Sequence, residues 1–206
     1  MKGLTDVPGI RVGHVSDYEA LTGCTVILCE SGAVCGADIR GSATGTSELD
    51  LASPYHLTTH VHGLCFAGGS AFGLEAACGV RRYLESRKIG YATGRAVVPV
   101  VPSAILYDLR IGRADVRPTR EMGEAAAKAA TDGPVAEGCV GAGTGALIGT
   151  LKGPEHAMKG GVGTFTSKLP NGVFVSALAI TNCFGDVVDP RSGTIVAGCR
   201  KASAGR

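Results

Sequence analysis

Residues 173–190, VFVSALAITNCFGDVVDP, restrict the fold more than any other stretch of the chain. The apolar run Val173 to Ile180 has the length of a strand buried on both faces. Thr181 and Asn182 stand where it ends, followed by Cys183-Phe184-Gly185. A carboxamide at the mouth of a buried strand costs free energy unless its donors and acceptors find partners. Two readings fit. The Asn can cap nearby backbone, or it can aim its NH2 at a reacting carbonyl and stabilise an oxyanion in a dry site. Beyond it, DVVDPRSGTIVAG reads as a hairpin turning at Asp189 to Gly193.

The chain's 206 residues suit one domain with a sizeable core, or one chain of a larger assembly. Twenty basic residues against 18 acidic ones leave a net charge of +2, with no basic block and no interleaved aromatics, which argues against nucleic acid as a partner. Glycine is abundant at 32 residues and aromatics are scarce at 5%, so the core is expected to pack with small side chains and tight turns. No N-terminal apolar segment approaches a signal or a membrane span, and the expectation is a soluble, cytoplasmic protein. The eight cysteines form no CxxC, and most lie in apolar segments such as TVILCE and GLCFAGG. They are expected to be buried thiols, with no disulfide framework.

Along the chain, a strand is expected at Ile10 to Val15, another at Thr22 to Leu28, and a third at Gly32 to Ile39 after the Ser31-Gly32 turn. His14 lies in the first of these and reads as a structural histidine. Residues 40–59, RGSATGTSELDLASPYHLTT, form a long polar loop with room for a helical turn, and loops of that length are often functional. His56, His60 and His62 could suggest a metal. The first pair shares a face only in a helix and the second only in a strand, so no metal site is expected.

A short strand at Leu64 to Phe66 then enters Gly68-Gly69-Ser70, and a helix is expected from Ala71 to Arg87 with Phe72, Leu74, Ala77, Val80 and Leu84 on its core face. GGSAFG matches neither GxSxG nor GxGxxG. It can be tight packing of a Gly-rich turn or a backbone N–H cradle. Residues 96–101, AVVPVV, carry Pro99 and suit an edge or a bulge. Tyr107, in AILYDL, is a core aromatic or a site phenol. Arg117-Pro118-Thr119 opens a second helix, Arg120 to Thr131. GAGTGALIG looks like a phosphate loop but lacks the GK[ST] ending. Lys152 closes the run ALIGTLK, either as an exposed lysine with its stem laid on apolar surface or as a buried, perturbed amine. Pro170-Asn171-Gly172 makes a hairpin turn between two strands.

Taken together, VPGIRVGHVSD, LCFAGGSAFGLEAA, SAILYDL, GAGTGALIG, KGGVGTFTS and ITNCFGDVVDPRSGTIVAG carry a resemblance. Over nearly its whole length the chain resembles the P1 (DmpA-type) family of N-terminal-nucleophile peptidases. That group contains the L-aminopeptidase/D-esterase, the β-peptidyl aminopeptidases and the nylon-oligomer hydrolases. The resemblance implies an α/β (α+β) fold, the αββα sandwich shared with ornithine acetyltransferase, completed by a separate β chain. It implies a precursor that cuts itself in two, exposing a Ser or Thr whose own α-amine can act as base.

By the same resemblance Asn182 is the oxyanion-hole donor, Tyr107 belongs to the active site, and Lys152 stands near the nucleophile. The backbone of Ser103, Ala104, Ile105 and Leu106 and the Gly68-Gly69-Ser70 turn would line the substrate pocket. No cofactor or metal is implied. The partners implied are a β chain beginning with Ser or Thr and a peptide or amide substrate, in a tetramer of αβ heterodimers without nucleic acid or membrane. Residues 1–206 are then expected to be one domain, the α subunit, with 199–206 beginning the linker toward the cleavage site. Ser192 and Thr194 come too early to be the nucleophile, so the chain alone is expected to be inactive. The function expected is amide-bond hydrolysis. An acyltransferase of the ornithine acetyltransferase type and a non-catalytic binding or scaffold subunit are the alternatives.

Overall fold

In the computed structural model, residues 1–58 and 60–201 are described. A 3-10 turn, Leu4–Asp6, leads into β1 (Arg11–Asp17), which pairs antiparallel with β2 (Thr22–Val34). The two strands expected around Ser31-Gly32 are therefore one. The pairing of β2 with its neighbour slips between Leu28 and Ala33, and Gly32 at φ 84° absorbs the irregularity. The long loop holds β3 (Thr46–Ser47) and a 3-10 turn, Leu49–Ala52, before β4 (His60–Ala67).

Ser70–Glu75 is a 3-10 turn that runs into α1 (Ala76–Ser86), so the first turn of the expected helix is wound more tightly. This turns Phe72 outward. It is 57% exposed, not on the core face, and the Arg117 guanidinium stacks on it at 3.8 Å. A ribbon of β5 (Tyr91–Ala92) and β6 (Val97–Val98) ends at Pro99, and β7 (Ser103–Ile105) follows. The helix α2 (Arg120–Ala129) begins at Thr119, whose hydroxyl accepts the Met122 N–H at 3.3 Å. Three antiparallel ribbons close the described chain: β8 (Leu147–Ile148) with β9 (Met158–Lys159), β10 (Gly161–Lys168) with β11 (Phe174–Thr181), and β12 (Val187–Val188) with β13 (Ile195–Ala197).

The principal sheet has the order β1-β2-β4-β7-β3, with only the β4–β7 pair parallel. Alternation decides its two faces. Cys24, Val26 and Leu28 of β2 and Cys65 and Ala67 of β4 turn toward α1 and α2, where Val80, Leu84, Ala126 and Ala127 complete the main core. The two helices touch backbone to backbone. A Cβ on Gly79 would collide with the Arg120 carbonyl, and one on Gly123 with the Ala76 carbonyl. Phe66 belongs to the other face, where it packs with Leu106, Ala142, Ala146 and Ile180.

The strand expected to be buried on both faces is the largest departure. β11 pairs with β10 alone, and Val173, Phe174 and Val175 are exposed, as is Phe165 across the ribbon. The inner face is covered from the N-terminus, where Thr166 Oγ1 donates to the Gly3 carbonyl at 2.6 Å and the Leu4 N–H donates to Thr164 Oγ1 at 2.8 Å. Nothing in this chain covers the outer face among the described residues. Among the described residues one helical layer packs on the five-stranded sheet, and the remaining strands form four separate two-stranded ribbons. Both expected hairpin turns form: Gly172 N–H donates to the Leu169 carbonyl and Gly193 N–H to the Asp189 carbonyl. The segment 199–206, expected to begin a linker, lies outside the described residues beyond 201. No helix among the described residues is long and apolar enough to cross a membrane.

Candidate active site

Asn182 follows the last residue of β11 and is locked by backbone on both sides. Its Oδ1 accepts the Leu147 N–H at 2.9 Å, and the Leu147 carbonyl accepts the Cys183 N–H at 2.9 Å. With the acceptor end fixed, the NH2 end must point the other way, toward the Tyr107 carbonyl at 3.4 Å. That contact is at the outer limit of a hydrogen bond, so the amide keeps donor capacity in hand. Asn182, Tyr107, Ala43, Leu147, Thr150 and Phe184 line a pocket of about 340 Å³, with Arg110 at its wall. Tyr107 is half exposed, and Arg110 lies over its ring at 5.6 Å. The structure thus brings Asn182 and Tyr107 together and adds Ala43 from the polar loop.

Lys152 is placed differently. It lies on a 3-10 turn, Thr150–Lys152, exposed, in a neighbouring cleft of about 310 Å³ that shares Phe184 with the first. Arg200, Lys201 and Asp186 line that same cleft, and Asp186 Oδ1 accepts the Cys199 N–H at 2.8 Å.

Behind Tyr107 sits a buried carboxylate that sequence reading does not single out. Asp108 is 3% exposed; its Oδ1 accepts the Gly69 N–H at 2.6 Å and its Oδ2 the Thr22 hydroxyl at 2.7 Å. Gly68 N–H donates to the Gly23 carbonyl, and Ser70 N–H to the Leu106 carbonyl. All three N–H groups of the Gly68-Gly69-Ser70 turn are spent within the protein, so the turn is packing and not an open cradle. Space explains the glycines: a Cβ at position 68 would strike Asp108 and Thr22, and Gly69 has φ 79°.

Ser103, Ala104 and Ile105 are the strand β7, paired with β4 on one side and β3 on the other, and Leu106 is buried. With Gly68, Gly69 and Ser70 they form the layer behind Tyr107. None of the seven is among the side chains lining the Asn182 pocket.

The GAGTG stretch is likewise tied down. Gly141 N–H donates to Ser16 Oγ at 2.8 Å, Ala142 N–H to Thr25 Oγ1 at 3.0 Å, and Gly143 N–H to the Val140 carbonyl. It offers no phosphate cradle. Its far end is held by Lys159, whose ammonium donates to the Thr144 carbonyl at 2.5 Å. Burial of that amine pushes Lys159 below the usual lysine range, against the smaller pull of Cys139 and Asp108. The side chain as a whole stays exposed, so the shift belongs to the amine end tucked under the turn. Only its place before Gly160-Gly161 marks this lysine in the sequence, and no periodicity distinguishes it from Lys152.

His14 is structural. Thr25 Oγ1 accepts the Ala142 N–H at 3.0 Å and shares a hydrogen bond with His14 Nδ1 at 2.9 Å, while Nε2 is buried with no partner among the described residues. Burial lowers the His14 pKa. His62 Nδ1 accepts the Val100 N–H at 3.2 Å and is thereby occupied. Among the cysteines, Cys24, Cys29 and Cys65 are buried, and burial pushes the first two up to about 12 and about 11 and the third well up. The other five are half-buried or exposed, fewer buried thiols than the apolar segments suggest.

A model of peptidase family S58 matches residues 2–200. Over 201 residues the chain is 45% identical to an uncharacterised aminopeptidase of Mycobacterium tuberculosis, covering 94% of this chain and 56% of that protein. It is 34% identical over 200 residues to a 6-aminohexanoate-oligomer endohydrolase of Paenarthrobacter ureafaciens, covering 97% of this chain and 53% of the other. Among solved structures, the L-aminopeptidase D-Ala-esterase/amidase of Ochrobactrum anthropi, described as a variant of the Ntn-hydrolase fold, superposes with a TM-score of 0.67 at 20% identity. That match takes in 88% of this chain and 53% of the other and speaks for the fold alone. The chain spans a little over half the length of the curated relatives it matches. Family model, relatives and fold agree, and the chain belongs to peptidase family S58.

Proposed function

We propose that this chain is the larger part of an amide-bond hydrolase of the aminopeptidase type. Its nucleophile is a Ser or Thr at the start of a second segment, the β chain, released by self-cleavage. The observation that carries the reading is the orientation of Asn182. Leu147 N–H holds the acceptor end of its amide, so the NH2 end faces the pocket where a carbonyl oxygen would gain charge. The nucleophile's hydroxyl attacks the amide carbon and its proton passes to the segment's own α-amine, which then protonates the leaving amine. An acyl-enzyme ester forms, and water, deprotonated by the same amine, releases the acid. Asn182 donates to the oxyanion in both halves, and Tyr107 flanks it. Lys152 is assigned to the approach across Phe184.

Two further observations favour a second segment. The relatives are nearly twice as long as the matched region, and the outer face of the β10–β11 ribbon carries apolar side chains with no cover among the described residues. The complete enzyme would then be a tetramer of such heterodimers.

The test is to express the chain with its nucleophile-bearing segment and to follow intact mass, N-terminal sequence and amide hydrolysis. A smaller chain beginning with Ser or Thr and a hydrolysed amide are expected. Replacing Asn182 by Ala in the processed enzyme should cost on the order of 10²–10³ in turnover. Wild-type rates in that variant would remove Asn182 from the oxyanion hole.

A further inference from the structure

Arg110 has unusual company. It is the one charged side chain lining the Asn182 pocket among the described residues; the rest of the wall is apolar or neutral. Its guanidinium lies over the Tyr107 ring at 5.6 Å, and no carboxylate among the described residues pairs with it. The nearest carboxylate in sequence, Asp108, cannot neutralise it, because both its oxygens point into the core toward Gly69 and Thr22. Across Phe184 the second cleft adds Lys152, Arg200 and Lys201. Its one carboxylate, Asp186, already accepts the Cys199 N–H. The two joined clefts therefore present a surplus of positive charge on apolar walls.

That charge decides which end of a substrate can lie here. The acyl side of an aminopeptidase substrate carries an ammonium, which an unpaired guanidinium repels. The leaving side of a peptide or an ω-amino-acid oligomer ends in a carboxylate, which a guanidinium fork binds with two parallel N–H bonds.

We propose that Arg110 is a specificity-determining residue that binds the free carboxylate of the leaving group. The enzyme would then favour short amides whose released amine is an amino acid over those that release a neutral amine. This rests on the amide-hydrolase reading of the same pocket.

The test uses the chain assembled with its nucleophile-bearing segment and a panel of α-, β- and ω-aminoacyl dipeptides, each as free acid and as C-terminal carboxamide. The free acids are expected to be preferred about 10- to 100-fold in kcat/KM, mostly through KM, as for loss of a charge-assisted hydrogen bond. Arg110→Gln should abolish that preference, bringing kcat/KM on the free acids down to that on the matching carboxamides. Arg110→Lys should restore part of it, since the charge returns without the fork.

Equal kcat/KM for acids and carboxamides in the unsubstituted enzyme would overturn the proposal and leave the hydrolase reading standing. So would an Arg110→Gln loss of the same size on both series, which would mean that Arg110 pairs with a carboxylate of the second segment. A processed enzyme that cleaves no member of the panel would sink the hydrolase reading itself, and this inference with it.

Discussion

Oδ1 of Asp108 accepts the Gly69 N–H at 2.6 Å, joining the end of the β7 segment to the turn that follows β4. Through Oδ2 the same carboxylate takes the Thr22 hydroxyl, so three separate stretches meet on one buried charge directly behind Tyr107. A buried carboxylate is tolerated only when charge-assisted hydrogen bonds replace its water.

Asp108→Ala should therefore be costly, because it orphans a buried N–H and a buried hydroxyl together. A loss on the order of 2–4 kcal/mol is expected by chemical denaturation. Asp108→Asn keeps one good acceptor and should cost less than Asp108→Ala. A stability within 0.5 kcal/mol of the parent for Asp108→Ala would show that the network is not holding the layer together.

The contact between the helices offers a second test, in which two known effects oppose each other. Replacing glycine by alanine inside a helix gains up to about 1 kcal/mol in propensity. Here the new methyl of Gly79→Ala would meet the Arg120 carbonyl of the facing helix, and the strain of forcing atoms into a packed core is about 1–3 kcal/mol. Strain should win. The melting temperature is expected to fall by several degrees, and Gly123→Ala, aimed at the Ala76 carbonyl, should behave alike. A rise in melting temperature for either variant would mean that the helices can move apart without loss.

How much of this was legible in the sequence depends on the range of the forces involved. The hairpin turns at Pro170 to Gly172 and Asp189 to Gly193, the helix opening at Thr119 and the short edge ribbon that stops before Pro99 are local, and each forms where its residues call for it. Asn182 was marked by its position at a strand end, and its pairing with Tyr107 came through the family resemblance rather than through spacing. Asp108 and Lys159 were not legible. Their partners Gly69, Thr22 and Thr144 are distant in sequence, and a lone charge carries no periodicity. The β11 strand shows the converse. Its composition is that of a buried strand, but burial depends on what packs against it, and among the described residues that is β10, the N-terminal turn and, at Ile180 alone, the cluster of Phe66, Leu106, Ala142 and Ala146.

Histidine 14 gives a pH dependence with a definite sign. Burial holds its folded pKa below the ordinary 6.5, so the folded protein resists the second ring proton. As pH falls below about 6.5 the unfolded chain binds a proton that the folded one does not, and stability falls until the folded pKa is passed. His62, lowered by burial and by His60, acts in the same direction. The contribution of His14 is therefore read as a difference: in denaturation curves between pH 7.5 and about pH 5, His14→Gln should lose less stability than the parent. Parallel pH curves for the two proteins would assign the acid sensitivity elsewhere.

The outer face of the β10–β11 ribbon supplies the last prediction. Phe165 is 72% exposed and pairs across the ribbon with Ala177, while Val175, 55% exposed, lies opposite Ser167 on the same face. A Phe165→Ser change in this chain alone removes little buried surface and should move its stability by no more than about 0.5 kcal/mol. If the second segment packs on this face, the same change removes most of a large apolar side chain from the interface, where anchors of that kind commonly cost 2 kcal/mol or more. The expected result is a chain that melts as the parent does but retains its partner at least tenfold more weakly, measured by co-purification and by titration of the separated chains. A substitution on the opposite face, Thr166→Val, should show the reverse pattern. It breaks the bond to the Gly3 carbonyl and so should lower stability without touching association. Unchanged partner affinity in Phe165→Ser would mean that the exposed ribbon face is not where the second segment binds.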